Sequence, residues 1–273
     1  MDYIKTEPIT TMKGAFSVEG LNVVVTGGNR GLGRGISNAF AECGANICVI
    51  CRSQEKADAA AAEIAKDFGV DAFGVACDLS DYDQIVAAQK AVAAKWDHID
   101  VLVNNAGIDN HYSIFDDENL EEFKAVMNVN LNGIAATCKH FGKWMMDEKR
   151  GGSIINISSI GGQQLGDPRI NPMPAYNASK AALDHLSRHL SIVLGDYGIR
   201  VNVIAPGLTH SGLDGDLPPV VDDYIENTMP AHRWGEPIEI GALAVFLASP
   251  AARQITGATI NHDGGITMTG LTF

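Results

Sequence analysis

Two side chains four residues apart carry the first chemical suggestion in this sequence. In "PAYNASKAALDHLSRHL" (174–190), Tyr176 and Lys180 fall one helical turn apart on the same face of an amphipathic segment. An ammonium beside a phenol stabilises the phenolate, which is what a tyrosine needs to act as a general acid/base near neutral pH. The pair alone is weak evidence, because Tyr and Lys meet at this spacing on many surface helices. A second stretch, "TGGNRGLG" (26–33), places Gly27, Gly31 and Gly33 directly after a β-branched run and before an apolar-periodic one. Without side chains in the way, backbone N–H groups and the positive end of the following helix can approach a pyrophosphate.

The elements that must position these residues repeat along the chain. "LNVVVT" reads as a strand, the glycine turn follows, and "ISNAFAECG" reads as a helix ending at Gly44. The same unit returns as "ANICVIC" with "SQEKADAAAAEIAKDFG", "DAFGVACD" with "YDQIVAAQKAVAAKW", and "IDVLVNNAG" with one long helical segment, "LEEFKAVMNVNLNGIAATCKHFGKWMMDE". "SIINISS", the Tyr176 helix, "IRVNVIAPG", a polar irregular stretch, the helix "IEIGALAVFLAS" and a last strand near "GATINHDGG" complete the series. Strands alternating with helices of this length predict an α/β fold, a doubly wound parallel sheet of Rossmann type covered on both faces. Without a linker or composition break, one domain is expected over 18–273, with a substrate loop at about 208–234, behind a polar N-terminal extension at 1–17. Open parallel sheets bind ligands at the carboxyl ends of their strands, where the residues of interest lie.

Of 273 residues, 46% are apolar, enough for a sizeable core. Twenty Lys and Arg against 33 Asp and Glu give a formal charge of −13, which repels phosphate backbones and anionic lipid surfaces, so no nucleic acid is expected as a partner. With no apolar run of membrane-spanning length and a polar "MDYIKTEPITTMKG" at the start, neither a membrane span nor a signal peptide is predicted, and the expected location is cytoplasmic. Five cysteines do not read as a disulfide framework. Cys48 and Cys51 form a C-x-x-C inside a buried strand, where residues three apart point to opposite faces. His185 and His189 lack the Glu and third ligand of a zincin site, so no metal is expected.

Thr26 to Gly33 as T-G-x-x-x-G-x-G, "NNAG" at 104–107, a Ser after the fifth strand, Y-x-x-x-K at 176–180 and "PG" at 206–207 occur together in order. Over about 18–265 the sequence resembles the short-chain dehydrogenase/reductase family. The resemblance implies hydride transfer between a nicotinamide cofactor and a carbonyl or alcohol carbon. It implies Tyr176 as acid/base, with its pKa lowered by Lys180 and the oxidised nicotinamide, and Lys180 bonding the nicotinamide ribose. Ser159 would orient the substrate and Asn130 would hold a relay water behind the lysine. Cofactor contacts are implied at Gly27, Asn29, Arg30, Gly31, Leu32 and Gly33, at Asp78 (the adenine amine) and Leu79, and at Asn104 (beside the adenosine ribose), Ala106 and Gly107. Others are implied at Pro206, Gly207, Thr209 and Ser211, the last standing where the family usually has Thr.

NAD-preferring folds usually end the second strand with an acid on the ribose 2′-OH. Here that position is Cys51, followed by Arg52, and Arg30 lies inside the glycine turn. Guanidinium groups suit a phosphate, so NADP(H) is expected over NAD(H). The substrate is a small carbonyl or alcohol. "RWGEP" is similar to gluconate and polyol dehydrogenases, with Arg169 or Arg233 available to a sugar acid. Ile160, Leu165, Met173, Leu208, Leu213 and Trp234 would instead line a slot for a steroid, a flavonoid or a 3-oxoacyl chain. Pro168, Pro172 and Pro174 hold an extended loop bordering the substrate. Asp214, Asp216, Asp222, Asp223 and Glu226 read as a solvated face, and His262 as an exposed histidine at a turn. The resemblance also implies a homotetramer or homodimer paired through the helices of 123–146 and 181–195. A catalytically silent dinucleotide sensor on the same fold is the alternative, and such a protein would be expected to have lost Tyr176 or Lys180.

Overall fold

The computed structural model describes residues 8–164, 172–211 and 220–269. Seven strands form one sheet: β1 (Asn22–Thr26), β2 (Asn46–Cys51), β3 (Ala72–Ala76), β4 (Val101–Asn104), β5 (Gly152–Ile157), β6 (Ile199–Pro206) and β7 (Thr259–His262). Every pairing is parallel and the order is β3-β2-β1-β4-β5-β6-β7. The chain reverses its direction of travel between β1 and β4, which opens a crevice at their carboxyl ends.

Helices α1 (Met12–Ala15), α2 (Gly31–Glu42), α3 (Gln54–Phe68), α4 (Tyr82–Ala93), α5 (Glu121–Met127), α6 (Ile134–Glu148), α7 (Pro174–Gly195), α8 (Val220–Asn227), α9 (Pro237–Ala248) and α10 (Ile266–Thr269) follow in chain order. Their ends carry the expected signals. Ser53 and Asp81 accept from first-turn amides of α3 and α4, Gly69 takes the left-handed conformation after α3, and Pro174 opens α7.

Alternation along the strands divides the core into two layers. Val23, Val25, Ile47 and Val49 face α2, α3 and α9, packing with Ile36, Phe40, Ile64 and Leu247. Val24, Cys48, Ile50 and Leu102 face α4, α6 and α7, packing with Ile85, Phe141 and Leu183. Cys48 and the half-buried Cys51 therefore lie on opposite faces, and both are free thiols.

Two segments depart from the sequence expectation. The long helix after β4 is not continuous: Asn128–Gly133 forms a π-helical turn between α5 and α6. The turn shifts the apolar phase by only about one residue over six positions, too little to stand out in the sequence pattern. The stretch read as irregular before "RWGEP" contains α8, whose Val221, Tyr224 and Ile225 pack with Ile160, Met229 and Ile266 in a third apolar cluster. Among the described residues no helix is long and apolar enough to cross a membrane.

Candidate active site

A cavity of about 680 Å³ runs along the carboxyl ends of the central strands, from the turn after β1 to Tyr176 and Lys180. Its first wall is the glycine turn. Gly27 and Gly31 have φ of 67° and 53°, the left-handed region that glycine adopts without strain. A Cβ at Gly31 would overlap the Ser211 carbonyl oxygen, and one at Gly33 the Gly27 carbonyl oxygen. Only glycine permits the turn to close this tightly. Arg30 takes the N-cap position of α2 without capping its first turn, so the amides there remain open to an anionic ligand.

Arg30, Arg52 and Lys56 line the far end, with Cys51, Ser53, Asp78 and Leu79. No acidic side chain ends β2: the Cys51 thiol donates to the Ser53 carbonyl (3.3 Å). Among the described residues no carboxylate pairs with Arg30, Arg52 or Lys56. Asp78 Oδ1 accepts from the Ser80 amide (2.9 Å) and hydroxyl (2.8 Å), which fixes the carboxylate at the wall. Capping-free amides, three cations and a cavity of about 680 Å³ fit a nicotinamide dinucleotide.

At the other end, Tyr176 and Lys180 share one face of α7, with Lys180 Nζ 5.5 Å from the Tyr176 ring centroid. Lys180 is 3% exposed and donates to the Ile157 carbonyl oxygen (2.8 Å). Burial pulls its pKa down to about 8, against Asp184 and Asp109, whose charges pull it up. Burial also raises the Tyr176 phenol above its ordinary value; the Ser159 hydroxyl bonded to it works the other way, and Asp109 adds to the rise. The lowering expected from Lys180 and the oxidised nicotinamide together is therefore not produced by the protein's own groups alone. Burial outweighs the Ser159 bond in the protein by itself. Ser159 N-caps the short turn Ile160–Gly162, accepting from the Gly161 amide (3.1 Å), and this orients its hydroxyl.

The other expected residues divide. Asn29, Leu32, Ala106, Gly107 and Ser211 line the cavity with those named above. Asn104 does not. It is fully buried, donating to Asn156 Oδ1 (2.8 Å) and accepting from the Thr137 hydroxyl (2.7 Å), because strand alternation turns it toward α6. Asn105 lines the cavity instead, its side chain donating to the Thr26 carbonyl (3.0 Å). Pro206, Gly207 and Thr209 are not in the wall either: Pro206 pairs with His262, Gly207 lies against Asp263, and the buried Thr209 bridges to Gly235. Asn130 sits one layer back, in the π turn, bonded to both backbone groups of Ile108 (2.9 and 2.8 Å) and to the Ser179 hydroxyl (3.2 Å). A Cβ at Gly107 would lie 3.2 Å from its Oδ1 and 3.6 Å from Lys180 Nζ, so only the glycine backbone separates the two.

The family model described as enoyl-(acyl carrier protein) reductase matches residues 27–267. D-threitol dehydrogenase of Mycolicibacterium smegmatis is 36% identical over 258 residues, 93% of this chain and 95% of that one. A crystal structure of a gluconate 5-dehydrogenase from Burkholderia cenocepacia, in complex with NADP and tartrate, superposes with a TM-score of 0.87 at 32% identity, covering 93% of this chain and 98% of the other. A 7α-hydroxysteroid dehydrogenase complexed with NADH and a 7-oxo bile acid superposes with a TM-score of 0.86 at 28% identity, covering 94% and 98%. The chain belongs to the short-chain dehydrogenase/reductase family.

On the substrate side of this dehydrogenase/reductase, two sequence expectations change. Arg233 is not free for a sugar acid: its guanidinium makes two bonds to Glu239 (2.9 and 2.6 Å) and holds that carboxyl down at a pKa of about 2. His262 is half-buried at the end of β7 and lines a second cavity of about 290 Å³ with Glu239, Trp234 and Asp263. Ile160, Leu208 and Trp234 belong to the third apolar cluster, and His210 stacks on Trp234 with centroids 5.0 Å apart. Asp222, Asp223 and Glu226 are exposed, as expected, and so are His185 and His189. Leu165, Pro168, Arg169, Leu213, Asp214 and Asp216 lie outside the described residues.

The sequence reading passed over Lys56 and Asp109. Lys56 is four residues after Arg52 in the first turn of α3, and the Ser53 N-cap was the signal that could have placed it there. Asp109, with a side chain 23% exposed, had no signal beyond its position two residues after "NNAG".

Proposed function

We propose that this protein interconverts a secondary alcohol and a ketone using NADP(H), with Tyr176 as the general acid/base. The observation that carries the reading is one cavity with an uncapped helix end and cations at one extremity and the Tyr176–Lys180 pair at the other. A nicotinamide held in this cavity would supply or accept the hydride. The chain's residues do the rest. Tyr176 gives its proton to the forming alkoxide or takes one from the alcohol, Ser159 orients the carbonyl oxygen toward it, and Lys180 stabilises the phenolate and bonds the ribose. Asn130 backs the lysine. Arg30, Arg52 and Lys56 receive the 2′-phosphate.

Turnover of NADPH or NADP against a panel of polyols, sugar acids, hydroxysteroids and 3-oxoacyl thioesters tests this reading. Higher kcat/KM with NADP(H) than with NAD(H) supports the cofactor assignment, and the reverse sinks it. Tight cofactor binding without turnover of any panel member would favour the dinucleotide sensor instead.

Lys180→Met should weaken NADPH binding about tenfold or more, the worth of a charge-assisted hydrogen bond, and lower turnover with it. Fluorescence titration reads the first effect; an unchanged Kd removes the ribose bond from the mechanism. Assembly into a homo-oligomer is also part of this reading, supported by Ile192, 77% exposed, and Val193, 47% exposed, on α7. Light scattering is expected to return a multiple of 29.0 kDa, and the monomer mass at micromolar concentration would refute it.

A further inference from the structure

One turn beyond Lys180 on α7, Asp184 raises a question that the chemistry above leaves unanswered. It is 3% exposed, and its Oδ1 is buried without a hydrogen-bond partner among the described residues. A buried carboxylate oxygen left unsatisfied costs stability, and an apolar residue would pack the same helix face without that cost. Yet the position lies at i+4 from a lysine that is itself buried, on the side away from the cavity.

Lys180 has the complementary problem. An ammonium out of water tends to lose its proton, and a neutral amine would neither stabilise a phenolate nor bind as a cation. Its one direct bond among those described is to the neutral Ile157 carbonyl.

We propose that Asp184 is a positioning residue whose buried charge keeps Lys180 protonated at working pH. Tyr176, Lys180, Asp184 and Arg188 then form a ladder of phenol, cation, anion and cation at successive i+4 positions, running from the cavity to the exposed end at Arg188. The carboxyl need not touch the ammonium, since two charges one turn apart in a dry interior interact strongly. The unsatisfied oxygen follows from this: a carboxylate fully bonded to neighbours would project less field on the lysine.

Other charges act on the ladder. Asp109, from the loop after β4, also favours the Lys180 charge. Ser158, at the end of β5, lies against the Asp184 carboxyl while donating to the Lys180 carbonyl (3.3 Å), and Arg188 and Lys180 favour its ionised form against the burial that raises its pKa. Elsewhere around α7, Arg200 of β6 is bonded to the Leu247 and Ala248 carbonyls, and Lys124 of α5 pairs with Glu121.

The sign of the effect is defined. Lys180 has a lowered pKa, so its charge is present below about 8 and lost above it. Removing the Asp184 charge must move that loss to lower pH.

The inference rests on the acid/base reading of Tyr176 and Lys180, but its test does not require a substrate. In the full chain labelled with 13Cε-lysine, the Lys180 resonance is assigned by its absence in Lys180→Met and titrated by NMR in wild type and Asp184→Asn. The expected result is a downward shift of the Lys180 midpoint by about one pH unit or more, the size produced by a nearby opposite charge. NADPH affinity in Asp184→Asn should fall at a correspondingly lower pH. An unchanged midpoint in folded Asp184→Asn overturns the proposal and makes Asp184 a packing residue. If that variant does not fold, Asp184→Ser, which leaves room for water, gives the same reading on the same scale. Failure of turnover in the substrate panel would strike the catalytic reading alone, since this titration reports the charge coupling whether or not a substrate is converted.

Discussion

Tyr176→Phe is expected to leave the fold and cofactor affinity intact and to lower turnover by about 10² to 10⁴, the usual worth of a positioned acid/base. The substitution removes one oxygen from a ring whose position is set by α7 and by the Lys180 ammonium 5.5 Å from its centroid. Ser159 loses its phenol partner but keeps the Gly161 amide bond, so the substrate pocket retains its shape. The comparison is made in single turnover with saturating NADPH, alongside cofactor titration and thermal melting of both proteins. Near wild-type turnover in a folded, cofactor-binding variant would mean that another group, or water, carries the proton. Because burial raises the phenol of wild type, the alcohol-oxidising direction should require higher pH than the reducing one, and Tyr176→Phe should remove that dependence from whatever rate remains.

Arg52→Asp is expected to produce the second large effect, a fall of about 10- to 100-fold in NADP(H) preference, with NAD(H) use retained or improved. A guanidinium-to-phosphate bond contributes about 1.5–3 kcal/mol, and the substitution replaces that attraction with a repulsion. Lys56 and Arg30 remain at the same wall, so partial preference should survive in the single variant and disappear in Arg52→Asp combined with Lys56→Ala. The ratio of kcat/KM for the two cofactors is the measurement. A ratio unchanged by either variant would show that these cations face solvent and that the 2′ position is read elsewhere.

What could be read from the sequence divides along physical lines. The glycine turn, the Tyr176–Lys180 pair and the bare end of β2 were legible because each is a local pattern with a mechanical requirement: a turn that must close, a shared helix face, a missing acid. Asn104 was misplaced because two adjacent asparagines at a strand end point opposite ways, and only the packed neighbours Thr137 and Asn156 show which one is buried. The π turn that carries Asn130 was invisible because a one-residue shift of phase over six positions does not stand out in a helical apolar pattern. Pro206, Gly207 and Thr209 were implied by the family resemblance, and the contacts the fold gives them go to β7 and to the segment around Gly235. Arg233 looked available because its partner, Glu239, forms the capping box of α9 six residues later, a local use that charge counting does not show.

The amide network beneath the cavity has a consequence for binding. Thr137 of α6 bonds Asn104 of β4, Asn104 bonds Asn156 of β5, and Asn156 bonds the Ser187 hydroxyl of α7 (2.8 Å), whose own proton goes to the Leu183 carbonyl (2.7 Å). Asn104, Asn156 and Ser187 each both give and receive, so replacing any one of them strands a buried neighbour, and the network ties α6 and α7 to the sheet. The helix bearing the phenol and the ammonium is therefore held to the sheet by bonds that need no ligand. Its loss of conformational freedom belongs to the unfolded-to-native step and does not recur at each encounter, so more of the interaction energy with the dinucleotide is left to appear as affinity.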